Sequence, residues 1–359
     1  MNIGVDAREL RRGQMTGIGR FLRNLLSGLL KLDSDNRYFL FGFRDLDFQA
    51  DARNLTTVLR DGTVTLFWDQ VYLPSAIKAH KIDVFFSPYY KVPLLAPCGV
   101  VLTHHDFTMF SYPEYKKRVL YNAALKAAML VFNKKARRII CDSEFTRREM
   151  HGYFDLPAEK AVLITESAGA GFAPCGAERI EVVRKRYKLE KRYLLYVGNS
   201  YPHKNVEGLV RAYGLLPAEQ RGKYDLALAG VAPSFCAAEG VRGLGHVADG
   251  ELAALYCGAE LFVFPSFMEG FGLPPLEAMA CGCPVISSSA DCMPEVLGDA
   301  CLYFDPGDTG GMSSMIARVL NDGEVRAGLR RKGAARAEFY ASKNTAAELL
   351  EIFKSACRV

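Results

Sequence analysis

Two carboxylates, Glu269 and Glu277, stand eight positions apart in the stretch EGFGLPPLEAMACGC. Between them lie Gly270, Phe271, Gly272, Leu273 and the pair Pro274–Pro275. Proline is tolerated at the first turn of a helix and excluded from its interior, so a helix is expected from about Pro275 through Ala280, stopped by Gly282 and Pro284. The two glycines make a permissive loop ahead of it. A helix start carries free N–H groups and partial positive charge, which suits an anion such as a pyrophosphate. Glu269 then falls at the loop entrance and Glu277 about a turn inside the helix, one acid at each end of an elongated ligand. Carboxylates only accept hydrogen bonds, so their natural partners there are hydroxyls. The same residues also fit an ordinary capped helix with two solvated acids.

Other stretches carry chemistry of the same kind. In GNSYPHKN, Lys204 is placed at a helix start, where its charge opposes the dipole unless it serves something anionic, and Asn199 precedes it. In THHDFT, His105 beside Asp106 can form a hydrogen-bonding or acid/base pair, or a plain polar turn. In MTGIGRF, Gly17 and Gly19 make a glycine turn that is neither GxGxxG nor a P-loop. Ser266 belongs to PSFMEGFG, ahead of the first acid. The acidic doublets Asp33/Asp35 and Asp45/Asp47 resemble metal clamps but fall in turns away from these loops, and both read as solvated, so no metal site is assigned.

The elements that must position these residues alternate. Strands are expected at 2–6, 38–43, 83–87, 100–104 and 139–143, and again at 193–198, 224–230, 260–265, 284–288 and 301–304, with helical patterns such as 19–32, 205–216, 250–257 and 309–321 between them. Strands alternating with helices imply parallel sheets covered on both faces. Two such series in 359 residues imply two Rossmann-like domains, joined near ESAGAGFAP, residues 166–174. Ligands of such sheets bind at the carboxyl ends of the strands, where these loops fall and the Asp33/Asp35 turn does not.

Composition narrows the class. Forty-five basic residues nearly match 40 acidic ones, a net charge of +5, which does not suggest a nucleic-acid binder. Ten scattered cysteines without a CxxC pair read as reduced, mostly buried thiols of a cytoplasmic protein, with Cys281 and Cys283 the close pair. The start MNIGVDARELRRG is not a signal peptide, and no apolar run is long enough to span a bilayer. The segment EYKKRVLYNAALKAAMLVFNKKARR, residues 114–138, is helical with an apolar middle and basic ends. It reads as a buried domain helix, or as one lying on an anionic membrane surface.

Taken together these motifs resemble the family 4 retaining glycosyltransferases of the GT-B fold, over nearly the whole chain and most densely from 193 to 306. EGFGLPPLE matches that family's E-x7-E motif, LYVGNSYPHKN its phosphate-lysine segment, GHVADGELAALYCGAELFVFPS and MPEVLGDACLYFDP its nucleotide side, and TGIGRF, FSPYY and HHDFT its acceptor side. The resemblance implies an α/β protein of two Rossmann-like domains with a cleft between them. The domains would be residues 1–170 with a C-terminal helix of about 342–359 crossing back, and residues 171–341. It implies transfer of a hexose from a nucleotide sugar to a glycan or polyprenyl-linked saccharide, without metal or resident cofactor. The donor is read as GDP-mannose, with a UDP-sugar as the alternative and a nucleotide-sugar epimerase as a further one. Glu277 would bind ribose hydroxyls, Glu269 donor-sugar hydroxyls, and Lys204 the leaving pyrophosphate. The amides of Gly270, Phe271, Gly272 and Leu273, with Ser266, would line the donor. His105 would hydrogen-bond the sugar, and Gly17 and Gly19 would approach the phosphates. Asn199 stands where many members carry a second phosphate-binding arginine. The location implied is the cytoplasm or the inner membrane face.

Overall fold

The structure is a computed structural model that describes residues 1–62, 64–235, 238–341 and 343–357. Cys236, Ser342, Arg358 and Val359 therefore lie outside the described residues, the last three at the ends of the expected C-terminal helix. The chain divides into two compact units, Met1–Glu166 with Asn344–Val359, and Ser167–Lys343.

The N-terminal unit is built on β1 (Asn2–Asp6), β4 (Arg37–Phe43), β5 (Leu55–Arg60), β6 (Val84–Ser87), β7 (Gly99–His104), β8 (Arg138–Cys141) and β9 (Ala161–Leu163). These make a sheet in the order β5-β4-β1-β6-β7-β8-β9, with every pair parallel. A short antiparallel pair, β2 (Leu10–Arg11) and β3 (Gln14–Met15), decorates the loop after β1. The central strands are continuous apolar runs because helices cover both faces. The C-terminal helix Thr345–Cys357 belongs to this unit: Leu349, Phe353 and Ala356 are completely buried among residues such as Ile3, Leu22 and Phe86. Full burial of Phe353 stabilises this docking by roughly 1.5–3 kcal/mol. Gly99 opens β7 because the Ala356 carbonyl lies 2.1 Å from where a Cβ would stand. Any side chain there would push the helix off the sheet.

The C-terminal unit carries β10 (Arg192–Val197), β11 (Tyr224–Ala229), β12 (Val241–Gly245), β13 (Leu261–Phe264), β14 (Val285–Ser288) and β15 (Leu302–Phe304). Their order is β12-β11-β10-β13-β14-β15, all parallel. This is the doubly wound dinucleotide-binding order, in which the chain reverses direction between β10 and β13. The connections after those two strands lead to opposite faces of the sheet, and sheets of this order bind their ligands at that point. All ten expected strands form, within two residues of their expected ends. Five strands were not expected: the short β2–β3 pair, and β5, β9 and β12, which are all edges of the two large sheets.

Segment 114–138 departs from the single buried helix read from the sequence. It forms Pro113–Lys116 and Val119–Lys135, broken at Lys117–Arg118. Only Met129 and Asn133 of the longer helix are buried, while Val119, Leu120 and Tyr121 are exposed beside Lys116, Lys117 and Arg118. Among the described residues no helix is long and apolar enough to cross a membrane.

Candidate active site

In the C-terminal unit the reversal point gathers the expected donor residues. After β10 the chain runs through Asn199 into a tight turn, Pro202–Lys204, and then enters the helix Val206–Gly214 through Asn205 in the left-handed conformation (φ 55°). The Asn205 side chain donates to the carbonyls of Pro265 (3.1 Å) and Pro306 (2.9 Å). Phe267 N–H donates to the His203 carbonyl at 2.7 Å. These bonds tie the loops after β10 and β13 together and bring Lys204 to Glu269. Lys204 Nζ donates to Glu269 Oε1 at 2.7 Å, with both side chains partly exposed. The lysine at the helix start is therefore matched to an anion, and within this chain that anion is Glu269. Asp291, after β14, fixes the acid from behind by accepting the Glu269 N–H at 3.1 Å.

The following helix spans Leu273–Ala280. Its end is a Schellman motif: Gly282 at φ 76° donates to the Met279 carbonyl, and Cys283 donates to the Ala278 carbonyl. Its start differs from expectation in one respect. Pro274 and Pro275 occupy the second and third helical positions and have no N–H, so the first turn offers only the amides of Leu273 and Leu276. The expected permissive loop is also packed down, since Gly270 through Leu273 are buried. Phe271 sits edge-on to Tyr340 at 5.5 Å. Gly272 holds φ 85°, and a Cβ on it would stand 2.4 Å from Met293 Cε. Only glycine fits there.

The solvated-acid alternative is excluded, because Glu277 is fully buried and accepts from the Tyr256 hydroxyl at 2.9 Å. Ser266 is also fully buried, and its hydroxyl has no partner among the described residues, while its carbonyl accepts from Ser288. Glu277 and Ser266 thus lie beneath the loop, whereas Lys204, Glu269 and Asn199 reach its surface. Asn199 folds onto its own loop, accepting from Tyr201 N–H at 3.1 Å through its side chain and from the Tyr196 hydroxyl through its carbonyl.

In the N-terminal unit, His105 follows β7, and its partner is not Asp106. Its Nδ1 lies 3.0 Å from Asp142 Oδ2 and 3.6 Å from Glu166 Oε1, and its Nε2 lies 2.8 Å from the Pro88 carbonyl. Asp106 instead accepts the Thr108 N–H and starts the next helical turn. The expected His105–Asp106 pair fails because successive side chains on extended chain point opposite ways. His104, the other histidine, is a core residue bonded to Asn133, and burial pushes it down to about 4. For His105 burial acts in the same downward sense. The hydrogen bond and charge of Asp142, with Glu166 close by, outweigh it and raise the ring well above the usual value. Burial raises Asp142 and pushes Glu166 up to about 7.

Beside this group, at the reversal point between β1 and β6, Arg8 is buried among Asp6, Asp69 and Tyr89. It donates to Asp6 Oδ2 and Asp69 Oδ1, both at 2.6 Å, and to the Tyr89 hydroxyl, and it lies over the Trp68 ring. Burial works against its charge, but Asp6 more than compensates and holds it protonated.

Gly17 and Gly19 are not a free turn. They begin the helix Gly17–Leu32, and the Gly19 N–H is already taken by the Thr16 side chain that caps it. Asp33 is not solvated either. It is buried and accepts from Tyr38, Asn36 and two backbone amides, tying off a turn. Asp45 and Asp47 pair with Arg11 and Arg23. None of these acids is arranged as a metal clamp. Among the described residues, His105, Asp142 and Glu166 alone bring three ligand-type atoms within 4.8 Å of one another. At 3.0 Å a proton already lies between Nδ1 and Asp142, and a cation would have to displace it. Sequence reasoning missed Arg8, Asp142, Glu166, Asn205, Tyr256 and Asp291. Asn205 and Tyr256 fall within the quoted segments GNSYPHKN and GHVADGELAALYCGAELFVFPS without having been singled out, and no motif marks the others.

Comparison with known proteins bears on this arrangement. Residues 15–165 match the model described as Glycosyltransferase Family 4, and residues 179–336 that described as Glycosyl transferases group 1. O-antigen chain mannosyltransferase B of Escherichia coli is 35% identical over 293 residues, 78% of this chain and 76% of that protein. The serotype-specific mannosyltransferase WbdA of Escherichia coli is 32% identical over 235 residues, 61% of this chain and 29% of that longer protein. The crystal structure of Anabaena Alr3699/HepE in complex with UDP and glucose superposes with a TM-score of 0.77 at 18% identity, covering 99% of each chain.

Proposed function

The chain belongs to the family 4 glycosyltransferases, and on that premise we propose that it moves mannose from GDP-mannose onto a hydroxyl of a growing polysaccharide or a polyprenyl-linked saccharide, with retention at the anomeric carbon. The names of the two mannosyltransferase relatives support the sugar. The observation that carries the reading is the Lys204–Glu269 pair at the reversal point of the C-terminal sheet. It holds one cation and one hydroxyl acceptor together, both partly exposed, at the point where sheets of this order bind their ligands.

The difficulty of the reaction is negative charge developing on the departing diphosphate. Lys204 leaves Glu269 for that diphosphate and stabilises the charge, while Glu269 turns to the sugar hydroxyls. The amides of Gly270, Phe271, Gly272 and Leu273 add donors once the loop lifts, and the same movement opens Ser266 and Glu277. Glu277 exchanges the Tyr256 hydroxyl for those of the ribose. Asn199 supplies a neutral amide where many relatives carry an arginine, so Lys204 bears more of the neutralisation. The acceptor attacks beside the departing diphosphate, and the reading needs no metal or resident cofactor.

Location follows from the other unit. Exposed Val119, Leu120 and Tyr121 beside Lys116, Lys117 and Arg118 fit the headgroup layer of an anionic membrane, which would bring a lipid-linked acceptor within reach. Nothing in the charge balance calls for a nucleic-acid partner.

The test is thermal stability with GDP, UDP and ADP in turn, each without metal. A ligand bound only by the folded chain adds roughly 2.7 kcal/mol at about a hundred times its dissociation constant. A rise with GDP alone is expected. A rise with UDP instead replaces the donor with a UDP-sugar, and no rise with any of the three overturns the nucleotide-sugar reading.

A further inference from the structure

Both ring nitrogens of His105 are engaged within the chain, which alters what this residue can offer a substrate. The Pro88 carbonyl can only accept, so the Nε2 that faces it at 2.8 Å carries a proton. Nδ1 faces Asp142 at 3.0 Å with Glu166 just beyond, at 3.6 Å. Asp142 and Glu166 are themselves buried, and one oxygen of each, Asp142 Oδ1 and Glu166 Oε2, has no hydrogen-bond partner among the described residues. Two carboxylates side by side in such a place are tolerable when one proton is shared between them and a cation stands against them. The cation available is the ring of His105. Around it, the helix Gly17–Leu32 contributes the uncharged edge of Phe21 at 4.9 Å, and the exit of β6 contributes the Pro88 carbonyl. Its own loop adds Asp106 and neutral His104, and the exits of β8 and β9 add Asp142 and Glu166.

We propose that Asp142 and Glu166 are positioning residues that hold His105 as a fixed, doubly protonated ring, so that it meets substrate as a positive charge and neither gives nor takes a proton. Placed at the carboxyl edge of the N-terminal sheet, that charge serves an anionic group of the substrate. The inference rests on the glycosyl-transfer reading for its purpose, but not for its test.

Ring-nitrogen shifts of 15N-labelled histidine report protonation directly and need no substrate. The chain has six histidines, and His105→Gln identifies the signals. At pH 8 both nitrogens of His105 are expected to be protonated in the native chain. A neutral ring with a single proton at that pH overturns the proposal. So does a stoichiometric metal in the purified protein whose removal by chelator moves these signals. Asp142→Asn then supplies a kinetic reading, and its His105 signals should titrate near the usual value of about 6.5. Its activity, relative to the native enzyme, should fall roughly tenfold more at pH 7.5 than at pH 5.5, following loss of the ring proton. An equal loss at both pH values means that Asp142 merely supports the fold, and the proposal fails. If His105→Gln does not fold, the pH-dependent shift confined to one ring in Asp142→Asn makes the assignment. Because the nitrogen shifts are read without substrate, their failure is distinguishable from failure of the glycosyl-transfer reading.

Discussion

At the carboxyl edge of its sheet the C-terminal unit sets one cation against one acid, Lys204 on Glu269, both partly exposed. At the corresponding edge the N-terminal unit packs its charges into closed groups, Asp6–Arg8–Asp69–Tyr89 and His105–Asp142–Glu166, nearly all of them out of water. The two edges share one strand order and its reversal point, with β9 an additional strand at the end of the N-terminal sheet. They differ in what their charges are for. A single partly exposed pair is worth little to stability and can be exchanged for a ligand. A buried, multiply bonded group cannot be opened without leaving an uncompensated charge, so it fixes geometry.

The sharpest break in that contrast is Arg8→Met. It strands Asp6 and Asp69 in the core and should cost about 3–5 kcal/mol in denaturant unfolding. A loss below about 1 kcal/mol would mean that the group is open to water and the contrast is false. Lys204→Ala should do the opposite, lowering turnover by roughly 10²–10³-fold at saturating donor while changing unfolding stability by less than about 1 kcal/mol. Near-normal turnover would remove Lys204 from the chemistry. Glu277→Ala lies between the two, because the acid is buried yet assigned to the nucleotide. It should weaken GDP binding, measured by calorimetry, and cost about 1–3 kcal/mol of stability by removing the buried carboxylate that accepts from the Tyr256 hydroxyl. Unchanged GDP affinity would make Glu277 a purely structural acid.

The smallest effect concerns pH. Glu166 is raised to about 7 when folded, above its ordinary value, so the folded chain binds more protons than the unfolded one between about pH 4.5 and 7. Its contribution to stability is therefore present at the acid end of that window and lost as pH rises through it. Glu166→Gln imitates the protonated acid. It should gain stability relative to the native chain from pH 5 to pH 8, by on the order of 1 kcal/mol. A difference that stays flat across that range would show Glu166 ionised throughout.

Much of this was legible in the amino-acid order. Short apolar runs alternating with helical patterns gave both sheets, since a strand covered on both faces must be apolar throughout. The edge strands escaped for the same reason. β5, LTTVLR, and β12, VRGLG, keep part of their surface exposed and carry no continuous apolar run. The proline pair and Gly282 set both ends of the Glu277 helix, because each acts through its own backbone. The positions of Lys204 and Glu269 in loops after strands followed from the fold class.

Pairing across the sequence was decided elsewhere. His105 took Asp142, 37 positions away, in place of its neighbour Asp106, and Lys204 took Glu269 across 65 positions. Arg8 met Asp69 only because the strand order sets β1 beside β6. Local sequence sets backbone conformation, and with it where elements begin and stop. Which charges meet, and whether water reaches them, depends on strand order and helix packing, and those exist only once the sheets have closed.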